Sequence, residues 1–348
     1  MANHRAFSTM LPNITQPPAT ITPDPKDAMI TSLITIFDFY IPCIILSLGY
    51  IGNSLTLITM TQRIHKKRNV VMSYHFRALA VGDIAICAIG DTQRLILSRF
   101  PDAFKLHGDF LCKEYNYLLF VFFGISIWNV VVISIDRFVA VCFPLKASIW
   151  CTLKKARALY AFNICFHLLF NLVKLWKYYE PDETNIHTES CVNPSYFPAW
   201  FEEFILMFYH VIVNYSAPIA VFALNTCILV RFKQQGKEMT ATEGGKSNKK
   251  EHQERNLTTM MLIVAFTFII LMIIFPIENV FWDYIMPDLA KTQPRLRELS
   301  FYVCYYTTTA NSCINFYIYF CVSAPFRKDI IHLLNVKDRF AHIKERYA

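Results

Sequence analysis

Long apolar stretches recur along this 348-residue chain, each long enough for the roughly 20 residues that a helix needs to cross a bilayer. Seven are expected, at about Ile30 to Met60, Met72 to Leu97, Leu111 to Cys142, Ala156 to Leu175, Trp200 to Phe232, Leu257 to Tyr284 and Leu299 to Cys321. The sequence is 54% apolar, 15% aromatic and only 17% charged, the wrong balance for a pair of soluble domains. Scarce glycine and abundant phenylalanine argue against a collagenous or disordered chain and against a glycine-rich nucleotide enzyme. The net charge of +8 is spread between the apolar blocks, which argues against nucleic-acid binding. The first thirty residues, with Pro17, Pro18, Pro23 and Pro25, have no apolar core like that of a cleavable signal, so the first span would be the address.

Lys and Arg in the connections set the expected orientation. The segments Thr61 to Val71, Phe143 to Arg157, Lys233 to Asn256 and the tail after Ala324 carry twenty, whereas the other side, with the N-terminus, carries eight. The positive-inside rule then puts the N-terminus outside and the C-terminus in the cytosol. Asn13-Ile14-Thr15 is a glycosylation acceptor on the expected outer side. Residues 1–29 are thus read as an extracellular tail, 30–322 as a seven-helix bundle with a flexible cytosolic loop at 233–256, and 323–348 as a cytosolic end. After the seventh span, Phe326, Ile330, Leu333 and Leu334 form one helical stripe, as in a short amphipathic helix on the membrane surface.

Polar residues within spans are informative because each is costly in lipid unless satisfied. Asp83, Asn53, Ser126, Asn311, Ser312 and Asn315 fall at comparable depth when successive spans alternate in direction. One carboxylate with neutral oxygens suits a water cluster or a sodium ion better than a transition metal; a hydrogen-bond network without an ion is the equal alternative. No other cofactor is expected. Cys112 and Arg137 lie about 38 Å apart on a continuous helix, one at each edge of the membrane. Cys191, in the long loop on the outer side, is expected to bond to Cys112.

In combination these features resemble the rhodopsin-like (class A) G-protein-coupled receptors. The resemblance rests on Gly52-Asn53, on Leu79 to Asp83, on Asp136-Arg137-Phe138 followed by Pro144-Leu145, on Pro218 and Pro276, and on Asn315-Phe316-Tyr317-Ile318-Tyr319. It covers the chain from the first span to the amphipathic helix. Asp136, Arg137, Pro218, Pro276 and Tyr319 are the expected activation switch. Arg137 is a permanent cation that its neighbour can hold or release, and each proline removes a hydrogen bond about which a helix end can swing. The chain departs from the family pattern at Ile270 and Ile274, where aromatic residues are usual, at Ala161 to Ile164, at Thr226, and at Asn256, with Glu254 near.

By resemblance, Leu119 stands where amine receptors keep an aspartate and Thr309 where opsins keep the retinal lysine, which disfavours both ligands. The expected ligand-binding set is Gln93, Arg94, Leu119, Phe123, His210, Glu278, Phe281 and Tyr305, a mixed aromatic and charged lining suited to an extracellular peptide. Glu278 either pairs with a ligand cation or with Arg94 or His210; Asp91 has the same ambiguity with Arg94. The segment Lys177 to Pro198 is net acidic and would draw in a cationic peptide. The closest resemblance within the family is to invertebrate FMRFamide-type neuropeptide receptors, through Asn311 to Tyr319 and through Cys151 to Arg157 leading to Asn171 and Trp176. It implies amidated peptides ending in Arg-Phe and a heterotrimeric G protein as partners, with membrane lipids around a basic inner rim. A receptor for another peptide or a small chemosensory ligand is the alternative. A transporter would show internal repeats and an enzyme a nucleophile or metal motif, and neither pattern is present.

Overall fold

The computed structural model describes residues 25–100, 109–176, 178–181, 189–192, 198, 200, 204, 207–208, 210–241 and 249–334. Asn13 and its tail, most of the acidic segment, the glycine-containing stretch 242–248 and the end after Leu334 lie outside them. In chain order the longer helices are α1 (Lys26–His65), α2 (Val70–Ile96), α3 (Leu111–Cys142), α4 (Leu153–Trp176), α5 (Ala217–Ala241), α6 (Lys249–Val280), α7 (Pro294–Thr309), α8 (Asn311–Val322) and α9 (Ala324–Leu334). By length and composition, five stretches among the described residues suffice to cross a membrane: α1 to α4, and Arg255–Val280 within α6. The protein is a multi-pass, membrane-embedded helical bundle.

The helices start and stop where local chemistry dictates. The Thr152 hydroxyl accepts from the Lys155 amide at the N-terminus of α4, and Pro294 opens α7, where its missing N–H costs nothing. Within the expected fifth span a π-helical turn, His210–Ser216, precedes the regular α5, in which Pro218 cannot donate. The expected seventh span is divided at Ala310 into α7 and α8. There the Thr307 to Thr309 run sends its hydroxyls to backbone carbonyls, with Thr308 reaching Leu271 on α6 at 3.3 Å. Such side-chain bonds compete with the helical ladder.

Packing is inside-out relative to a soluble protein. Ile44, Ile51 and Ile58, seven apart on α1, are exposed, as are Ile270, Ile273 and Ile277 on α6. Asn53, His75, Asp83, Asp91, Asn129 and Asn163 are buried. An apolar outer surface over a polar interior is what lipid as solvent requires. Helix α3 is central, packed against α2, α4, α5 and α6, with α8 closing the ring against α1 and α6. The core joins Phe76 and Leu79 of α2, Ile127 and Val131 of α3, Phe268 and Met272 of α6, and Tyr319 of α8. Phe326 and Ile330 of α9 are buried against this core, Leu333 is half-buried and Leu334 exposed.

One addition to the helices is an antiparallel hairpin of β1 (Tyr178–Pro181) and β2 (Glu189–Val192), with Tyr179 opposite Cys191. β1 packs on the Leu111–Tyr115 turn that opens α3 and carries Cys112.

Candidate functional site

Three polar clusters run through the bundle. At one end, the Arg137 guanidinium donates to Asp136 Oδ2 at 2.7 Å. Asp136 Oδ1 faces His75 Nε2 at 3.5 Å, and His75 Nδ1 lies 2.8 Å from the Tyr160 hydroxyl. A histidine protonated on Nε2 with Tyr160 donating to Nδ1 satisfies both neighbours. The Cys151 thiol donates to the Asp136 carbonyl at 3.4 Å, and burial together with the nearby carboxylate pushes that thiol up to about 12. Asn225 of α5 donates to Ser134 of α3 at 2.9 Å. Tyr319 is buried nearby against Phe76, ring centroids 4.7 Å apart. The side chain of Glu254, the acid near the end of α6, lies outside the described residues.

At mid-depth, Asp83 is fully buried and accepts from Ser126 at 2.7 Å and from Asn315 at 3.0 Å. Asn53 donates to the Ser312 carbonyl at 2.7 Å, and Asn315 to the Asn311 carbonyl at 3.3 Å. Four of the six residues expected at one depth are thus joined around Asp83 across α2, α3 and α8, while Asn53 of α1 bonds separately to Ser312 of α8. Asn129 and Asn163, which the sequence reading does not single out, add an amide pair between α3 and α4 at 3.1 Å.

The third cluster lies toward the opposite end. A π-helical turn at Cys87–Asp91 rotates α2 so that both Asp91 and Arg94 are buried. Arg94 forms no ion pair with any described residue; its guanidinium carbon lies 4.5 Å from the Tyr305 ring centroid, 4.9 Å from Phe301 and 5.2 Å from Tyr302. Desolvated cation–π contacts of this kind are worth about 2 kcal/mol. Tyr305 donates to Asp91 Oδ1 at 3.2 Å. Asp91 Oδ2 and the Arg94 Nε and Nη2 atoms are buried with no hydrogen-bond partner among the described residues.

The remaining ligand-set residues surround this cluster unevenly. Glu278 is 8% exposed, with the Ser300 hydroxyl 2.9 Å from its Oε1. That hydroxyl also lies 2.8 Å from the Arg297 carbonyl and receives the Trp282 indole N–H at 2.6 Å. Arg94, one partner expected for Glu278, sits instead in its aromatic cage, and the His210 side chain, the other, lies outside the described residues. Leu119 approaches Gly90, where an added Cβ would meet its Cδ1 at 3.1 Å. Gln93 and Phe123 are half-buried, Phe123 against the main core, and Phe281 packs edge-on to Trp282 at 5.1 Å. Cys112 is disulfide-bonded, whereas the Cys191 side chain lies outside the described residues. Among the described residues no group of three or more His, Cys, Asp or Glu could hold a metal ion.

A family model described as "7 transmembrane receptor (rhodopsin family)" matches residues 52–319. The chain is similar to an FMRFamide receptor of Drosophila melanogaster, 26% identical over 81% of this chain and 50% of that protein. It is also similar to a neuropeptide Y receptor type 6 of Oryctolagus cuniculus (23%; 87% of this chain, 81% of the relative) and a somatostatin receptor type 5 of Rattus norvegicus (26%; 84% and 76%). It spans about half the length of the Drosophila receptor.

Proposed function

Since the chain belongs to the rhodopsin family of seven-transmembrane receptors, we propose that it crosses the plasma membrane seven times, N-terminus outside, and is a receptor for an extracellular peptide that signals through heterotrimeric G proteins. On this reading α5 with the turn before it, and α7 with α8, supply the two spans beyond the five that are long and apolar enough on their own. The disulfide of Cys112 is assigned to Cys191, tying β2 to α3. Asn13 is assigned as the glycosylation site, and α9 as the helix along the inner membrane surface.

The Asp91–Tyr305–Arg94 cluster carries the reading. Nineteen residues of α2 separate His75 from Arg94, about 28 Å at 1.5 Å per residue. The ligand cluster and the Asp136–Arg137 pair therefore occupy opposite ends, with the Asp83 network between them. A buried carboxylate oxygen and a buried guanidinium, both short of hydrogen bonds, complement a group that is donor and acceptor at once. A C-terminal primary amide is such a group: its oxygen accepts from Arg94 and its NH2 donates to Asp91. Amidated peptides ending in Arg-Phe are the first class assigned, with Glu278 facing the ligand arginine. The relatives named for FMRFamide, neuropeptide Y and somatostatin support a peptide ligand in general. The Asp83 network holds water or a sodium ion.

The test is agonist-dependent guanine-nucleotide exchange by the reconstituted full chain, using amidated Arg-Phe peptides and their free acids. Exchange driven by an amide and abolished by Arg137→Ala is the expected result. No exchange with any peptide, or the same response in membranes lacking G protein, overturns it.

A further inference from the structure

Where α1 leaves the bundle, His65-Lys66-Lys67-Arg68-Asn69 turns sharply, with Lys67 and Asn69 at φ of 52° and 45°. Non-glycine residues are uncommon in this left-handed region, so the turn is held by its surroundings. The hold is Asp329 of α9, whose carboxylate receives Arg63 Nε at 2.6 Å and Arg68 Nη1 at 3.3 Å. Arg63 is 8% exposed and its guanidinium also stacks over Phe326, 5.9 Å from the ring centroid. Asp329 is therefore used up in fastening α9 to the α1–α2 turn.

Beside this fastening lies an open cleft of about 510 Å³ lined by Lys66, Arg68, Pro325, Lys328, Asp329 and His332. Lys66 and Lys328 are exposed and form no ion pair with any described residue. With its one acid engaged by two arginines, the cleft is left with two ammonium groups and an imidazole that no described acid compensates. A phosphodiester brings one negative charge, whereas a phosphate monoester brings about −1.5 to −2 and three acceptor oxygens. The exposed Ile331 and Leu334 on the same helix provide apolar surface where acyl chains would lie. Basic pockets at the polar edge of a helical bundle suit phosphorylated lipid headgroups.

We propose that the cleft between the α1–α2 turn and α9 binds the phosphate monoester of a phosphoinositide headgroup, with Lys66, Arg68 and Lys328 as its donors. Binding there would tie α9 to the α1–α2 turn through the ligand as well as through Asp329.

The full chain, purified in detergent, is titrated with a fluorescent short-chain phosphatidylinositol phosphate and, separately, phosphatidylserine. The Lys66→Gln/Lys328→Gln double variant is expected to weaken phosphoinositide binding about thirty-fold, two lysines each contributing several-fold. The Lys66→Arg/Lys328→Arg variant, which keeps both charges, retains it. Unchanged melting temperatures check that both variants fold. Equal affinity for phosphatidylserine, or unchanged binding by the glutamine variant, overturns the proposal. Soluble inositol bisphosphate is the third arm. Weak competition assigns the site to lipid, whereas competition as strong as the lipid's own binding overturns the lipid source and leaves a site for a free phosphate ester.

Discussion

Arg137 is bound at 2.7 Å by the carboxylate of the residue before it, Asp136, so the cation is held within its own helix. The same carboxylate faces His75 of α2, which is fixed in turn by Tyr160 of α4. Three helices therefore hold one cation in place. Asp136→Asn keeps the shape and removes the charge, loosening Arg137. Hydrogen bonds to charged groups are worth about 1.5–3 kcal/mol, so the released population should rise about ten-fold or more. The expected outcome is raised basal nucleotide exchange at equal surface expression. Basal exchange at the level of the unaltered chain would refute the restraint.

Tyr305 does two jobs that a single substitution separates. Its hydroxyl bonds Asp91 and its ring covers Arg94. Tyr305→Phe keeps the ring and removes one hydrogen bond of about 1 kcal/mol, so the potency of an amidated peptide should change about five-fold. Arg94→Lys puts a compact ammonium where a planar guanidinium stacks on three rings, and should cost more. Concentration–response curves for both variants check the order. Equal losses would mean that the aromatic cage adds nothing.

The five stretches long and apolar enough to cross a membrane are legible in the sequence because a bilayer demands a length, and length survives any packing. Their irregularities are less so. The break at Ala310 depends on where three threonine hydroxyls find carbonyls, one of them on α6, and no local pattern encodes that partner. Asp83, Ser126 and Asn315 are readable together because each is costly in lipid and all fall at one depth. Arg94 is readable as a ligand candidate, but its cage is not, since Phe301, Tyr302 and Tyr305 lie some two hundred residues away. Their helical spacing was the available signal. The family pattern points to positions 270 and 274 for aromatic residues; here Ile270 faces outward and the buried ring is Phe268, fully enclosed. His75 and His167 escape notice because a lone histidine in an apolar span looks like filler until its neighbours are placed.

Gly124 of α3 packs against His167 of α4. A Cβ added there would collide with the imidazole of His167, which is fully buried and has no hydrogen-bond partner among the described residues for either ring nitrogen. The ring is confined by the edge of Phe166, 5.2 Å away between centroids, so it cannot swing aside freely. Overpacking of this kind costs about 1–3 kcal/mol, so Gly124→Ala should lower the melting temperature and the yield of folded protein. His167→Ala removes the obstacle, and the double variant should recover more stability than the two single changes predict when added. Strict additivity in that cycle would show that the two positions do not touch, and that the α3–α4 spacing is set elsewhere.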